Sequence, residues 1–130
     1  MTTLLRIVAT VSLGLALLTT AACGQTRKNI NVNEAKALID KGGVTVLDVR
    51  TQGEYGGGHL KNAKLADVTA PGFEQAIAKL DKNKPVVVYC AVGGRSSRAA
   101  DIMVQKGFKN VYNVSGGYNA WSAAGLPTTR

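Results

Sequence analysis

Only two cysteines and one histidine occur in this chain of 130 residues: Cys23, Cys90 and His59. The cysteines do not form a CxxC pair, and no second His or Cys group completes a metal cage, so thioredoxin-like and zinc readings are excluded. Aromatics make up 5% of the residues and the basic residues form no run. A stacking platform or an electrostatic track for nucleic acid is therefore missing. The longest apolar stretch, Ile7 to Leu18, has nine apolar residues in twelve and stops at Thr19-Thr20. A membrane-spanning helix needs about 20. Repeats and low-complexity tracts are also absent. What remains is 45% hydrophobic and 18% charged, a globular balance that excludes disorder, collagen and coiled coil, and the length suits one domain.

The apolar stretch has the flanks of a secretory signal: Arg6 supplies a basic start, and Thr20-Ala21-Ala22 puts small residues at the cleavage positions. Residues 1–22 read as a signal peptide, 23–29 as an attachment site and polar tether, and 30–130 as the folded domain. Leu18 to Cys23 resembles a bacterial lipoprotein cleavage box, with Thr20 where that pattern usually has Leu. The resemblance implies that Cys23 carries lipid and that the protein is held in the cell envelope. Gly24 after the cysteine, in place of Asp, resembles outer-membrane sorting. Ordinary cleavage to a soluble periplasmic protein is the alternative.

Sixteen Lys and Arg against eight Asp and Glu give a net charge of +8, or +7 without Arg6. This favours anionic partners or an anionic membrane face. Scattered along the chain as they are, the cations read as a solvated basic surface.

Beyond the tether, helical and strand patterns alternate. Asn33 is a cap for a helix with Ala35, Leu38 and Ile39 on one face, ended by Gly42-Gly43. Val44 to Val49 reads as a buried strand, Lys64 to Ala66 as a weak one after the Gly56-Gly57-Gly58 turn, and Pro71 opens a second helix. Pro85 to Cys90 is apolar without alternation, as in a central strand of a parallel sheet covered on both faces. A helix from Ser96 to Lys106, a strand from Asn110 to Val114 and a last helix after Gly116-Gly117 complete the pattern. The expected fold is a single three-layer α/β domain with a mainly parallel five-stranded sheet flanked by helices. Sites in such folds form beyond the carboxyl ends of strands.

Cys90 stands at that position, followed by Ala91, Val92, Gly93, Gly94, Arg95 and Ser96. The two glycines permit backbone angles that turn successive N–H groups toward the sulfur. The helix start adds partial positive charge, and Arg95 is placed to clamp the loop or meet an anion. These features favour the thiolate, the nucleophilic form. No Lys sits in the loop at Walker spacing, which excludes a phosphate loop of that type.

Cys90 to Ser96 resembles the active-site loop of single-domain rhodaneses, the thiosulfate sulfurtransferases. Asp48-Val49-Arg50, Glu54-Tyr55, Gly58-His59-Leu60 with Ala63, Gly116-Gly117-Tyr118 with Trp121, and Gly125-Leu126-Pro127 match in the family's order, over roughly residues 30 to 128. Related phosphatases resemble cysteine phosphatases in carrying C-x5-R with a preceding His. Here four residues separate Cys90 from Arg95, and Tyr89 precedes. The resemblance implies sulfur transfer through a Cys90 persulfide, from a small anionic donor to a thiol or cyanide, without metal or organic cofactor. A persulfide carrier or sensor without turnover is the alternative, and a monomer is expected. Some thiosulfate-active relatives carry basic residues after the cysteine. Ala91 and Val92 stand there in this chain, which favours a persulfide or polysulfide donor. Asp48 is expected to bond turn N–H groups, Arg50 to pair with Glu54, His59 to be structural, and Tyr118 and Trp121 to lie in the core.

Overall fold

A computed structural model describes residues 26–130. The expected leader and Cys23 lie outside the described residues. In chain order the elements are β1 (Thr26–Ile30), α1 (Val32–Lys41), β2 (Thr45–Asp48), α2 (Gln52–Gly57), β3 (Lys64–Leu65), α3 (Phe73–Ala78), β4 (Val86–Tyr89), α4 (Gly94–Gln105), β5 (Asn110–Val114) and α5 (Gly117–Ala123). The sheet order is β1-β5-β4-β2-β3, and every neighbouring pair is parallel. Among the described residues no helix is long and apolar enough to cross a membrane.

The unalternating β4 is central, as its sequence predicts, because both of its faces are covered. Val86, Val88 and Cys90 pack with Phe73 and Ile77 of α3 and with Ala99, Ala100 and Met103 of α4. Val87 and Tyr89 face the other way, toward Ala35 of α1, Leu60 and Trp121 of α5. Burial of each large apolar side chain contributes about 1.5–3 kcal/mol. The two apolar clusters thus hold helices on both sides of the sheet.

Four expectations are corrected. The segment read as a tether is largely strand β1, which pairs with β5 from Thr26↔Asn110 to Ile30↔Val114. Its backbone groups complete the ladder that β5 would otherwise expose at the edge. Arg27 also ties it to α4, through Asp101 at 2.7 Å and Ser97. The cap of α1 is Asn31, whose side chain accepts from the Glu34 N–H at 2.8 Å, and not Asn33. Of the Gly56-Gly57-Gly58 segment read as turn, Gly56 and Gly57 belong to α2, which forms because Thr51 and Glu54 make a reciprocal capping box that offsets the glycines. Pro71 lies in a turn, and α3 starts only at Phe73.

Candidate active site

Strand β4 delivers Cys90 to the carboxyl edge of the sheet, where it is 1% exposed. The chain then folds around the sulfur. Gly93 adopts φ +118°, a conformation open to glycine, and its N–H donates to Cys90 Sγ at 3.0 Å. Gly94, expected to share that role, is the first residue of α4 and has no positive φ. Buried Ser96, in the first turn of the helix, places Oγ 3.3 Å from Sγ and 3.2 Å from the Gly93 carbonyl.

Burial pushes the Cys90 thiol up. The Ser96 hydroxyl and the N–H groups of Ser96, Gly93 and Val92 outweigh it, holding the thiol below its ordinary value. The thiolate should therefore persist to lower pH than in a free cysteine and be lost as pH falls through the depressed value. A pH profile of Cys90 alkylation should show this displacement. Ser96→Ala should move the midpoint upward, and an unchanged midpoint would mean that the hydroxyl contributes nothing.

A second layer of contacts fixes the loop from outside. Arg95 is a clamp: its two terminal nitrogens donate to Glu54 Oε1 at 2.7 Å and Oε2 at 2.8 Å. The Arg95 hydrogen bonds hold the Glu54 carboxyl down at about 2, so the pair stays ionised until pH falls to that range. Arg95 is correspondingly raised. Sequence reasoning paired Glu54 with Arg50. Instead Arg50 donates to Asp48, with Nη2 2.6 Å from Oδ2 and Nε 3.0 Å from Oδ1, and to the Gly58 carbonyl at 2.7 Å. Asp48 also accepts from the Arg50 N–H at 2.9 Å, as expected for a turn-bonding carboxylate. It further accepts from the Tyr89 hydroxyl at 2.7 Å. The ion pair thereby supports the residue immediately before Cys90.

Sequence reasoning took Gly116-Gly117 as a family match and as the lead into α5 and missed its contact with the loop. The N–H of Tyr118 donates to the Cys90 carbonyl at 2.8 Å and that of Asn119 to the Ala91 carbonyl at 3.0 Å. Gly117, at φ +55°, approaches so closely that an added Cβ would lie 2.4 Å from the Cys90 oxygen. Adjacent glycines before a helix were the available signal. His59 accordingly stays structural: it stacks on Tyr55 at 3.7 Å between ring centroids, and its backbone pairs with Thr129. Trp121 is buried, and half-buried Tyr118 lies against the Arg50 guanidinium, 4.3 Å from its ring centre.

The result is a preorganised cradle of N–H and O–H donors around one sulfur. Its mouth carries half-buried Ala91 and Val92, which is 67% exposed, while the loop's only cation is paired with Glu54. Such a site can hold a thiolate, and an anionic sulfur beyond it, at low reorganisation cost.

Comparison with known proteins agrees with this geometry. The model of the rhodanese-like domain family matches residues 31–124. A protein named thiosulfate sulfurtransferase GlpE from Coxiella burnetii is 38% identical over 96 residues, covering 74% of this chain and 88% of its own. One of the same name from Actinobacillus pleuropneumoniae is 32% identical over 103 residues, covering 79% and 94%. Among solved structures, a rhodanese-related protein from Thermoplasma volcanium superposes with a TM-score of 0.70 at 29% identity, over 78% of this chain and 97% of that one. The chain belongs to the rhodanese-like domain family.

Proposed function

We propose that this protein is a sulfurtransferase that carries sulfane sulfur as a Cys90 persulfide, and that it works in the cell envelope. Residues 1–22 would direct export and lipid on Cys23 would anchor the domain. The observation that carries the catalytic reading is the cradle itself. Sγ receives the Gly93 N–H at 3.0 Å and lies 3.3 Å from the Ser96 hydroxyl, a thiolate-stabilising set with no other evident purpose in a core cysteine. The names of the GlpE relatives support the same chemistry.

In the first half-reaction the Cys90 thiolate attacks the outer sulfur of the donor. A new S–S bond forms, the donor's own bond to that sulfur breaks, and the leaving group, sulfite from thiosulfate or a thiolate from a persulfide, departs with the electron pair. The outer persulfide sulfur bears the negative charge and takes up the loop's N–H donors. In the second half-reaction a thiol or cyanide attacks that sulfur, and the Cys90 thiolate is regenerated as leaving group. The uncharged mouth and the paired state of Arg95 leave no loop cation for a sulfonate, which favours a persulfide donor over thiosulfate.

Intact mass of the reduced protein before and after donor exposure tests the reading. A gain of one sulfur atom on the Cys90 peptide, released by cyanide as thiocyanate, is the expected result, with faster loading from an organic persulfide than from thiosulfate. Loading without release to any thiol or cyanide would make the protein a carrier. No loading from either donor would overturn the proposal.

A further inference from the structure

In a sheet whose strands all run parallel, every helix-to-strand connection reaches the same end, opposite the carboxyl edge that holds Cys90. Exposed lysines occupy each of these connections in turn. Lys41 ends α1 ahead of β2; Lys61 precedes β3 and Lys64 begins it; Lys82 and Lys84 lie between α3 and β4; Lys109 lies between α4 and β5. Cross-links draw them together: the Lys109 N–H donates to the Lys82 carbonyl at 3.1 Å, and the Thr45 N–H at the head of β2 donates to the Pro85 carbonyl at 2.8 Å. Lys61, Lys64 and Lys84 line one cavity of about 290 Å³ together with Thr45 and Asn62. Carboxylates share this end: Glu74 is paired with Lys106 at 3.1 Å, and Asp101 with Arg27 at 2.7 Å. Asp40 is paired with Lys36, and Asp81 accepts from the Asn83 N–H at 2.9 Å.

The N-terminal segment enters the fold at the same place. Strand β1 begins with Thr26 beside Asn110, immediately next to Lys109. Cys23 precedes Thr26 by three residues, which span at most roughly 11 Å. We infer that the lysine-bearing end of the sheet docks on an anionic lipid surface beside the point where the chain is anchored, with the Cys90 loop directed away from the membrane. The charge distribution carries this inference, and the anchoring reading supplies only the place of attachment. Each lysine near an anionic surface adds attraction that fades within a Debye length. Sulfur donors and acceptors would then approach from the aqueous side.

The test uses the full cell-made chain and vesicles of phosphatidylcholine with and without phosphatidylglycerol. Binding should be stronger on the anionic vesicles and weaken as salt shrinks the Debye length from about 10 Å at 0.1 M to about 3 Å at 1 M. The double variant Lys64→Gln with Lys84→Gln should lose on the order of tenfold in that added binding. Arg98→Gln with Arg130→Gln, an equal charge loss elsewhere, should lose much less, with thermal unfolding verifying that both variants fold. Acetylation of vesicle-bound protein should spare Lys61, Lys64 and Lys84. Equal binding to both vesicle types, equal losses in both variants, or no protection of these lysines would overturn the proposal. Anchoring through lipid alone would appear as strong binding to both vesicle types, and sulfur loading of Cys90 is measured independently of either.

Discussion

Cys90→Ser should abolish sulfur loading while leaving the fold in place. Serine is nearly isosteric, and its hydroxyl meets the same Gly93 N–H and Ser96 hydroxyl that now surround Sγ, so a buried polar group keeps its partners. The chemistry does not survive. An alkoxide is not formed by these donors near neutral pH, and an oxygen at this position cannot make the S–S bond that stores the transferred sulfur. Loss of an activated nucleophile costs on the order of 10⁴-fold or more. Intact mass after donor exposure should show no gain, and thiocyanate production should fall to background. Cys23 is the only other cysteine, so retained loading in the variant would move the site there and sink the assignment to Cys90.

The largest stability effect is expected from Asp48→Ala. Asp48 is fully buried and Arg50 is 3% exposed, and the carboxylate accepts from the Arg50 side chain, the Arg50 N–H and the Tyr89 hydroxyl. Alanine would leave a buried guanidinium with the Gly58 carbonyl and the Tyr118 and Tyr89 ring faces as its remaining partners. Removing one member of a buried pair costs about 3–5 kcal/mol, a large part of the roughly 5–15 kcal/mol that holds a domain folded. Denaturant unfolding should register that loss. A change below about 1 kcal/mol would show that Arg50 finds other compensation. Where the variant still folds, sulfur loading should slow, because the Tyr89 hydroxyl keeps only the Leu60 N–H at 3.1 Å and fixes the strand end that presents Cys90 less firmly.

The elements most legible in the sequence were those whose signal is local. Val86 to Tyr89 could be placed at the centre because a run of apolar residues without alternation has one physical explanation in an α/β chain. The cysteine, the glycine that turns the loop and the following helix start lie within seven consecutive positions, so the cradle around Sγ followed from residue order. Helix α2 was missed because glycines at 53, 56 and 57 argue against a helix locally, and a capping box spanning four residues outweighed them. Strand β1 was missed because Thr26 to Asn29 are polar. An edge strand needs few apolar side chains when its ladder partner and its ion pair with α4 are supplied by distant residues.

Partner choice is where local reading stopped. Glu54 had Arg50 four residues away and Arg95 41 away in sequence, and chain separation said nothing about which guanidinium would reach it. The buried carboxylate of Asp48, two residues from Arg50, had the prior claim on that side chain, which left Glu54 to clamp the loop. The lysines make the same point on a larger scale. Along the chain they are scattered and amount only to a net charge. Parallel strands joined by helices return every such connection to one end of the sheet, so lysines dispersed along the chain gather on one end, with Cys90 at the opposite end.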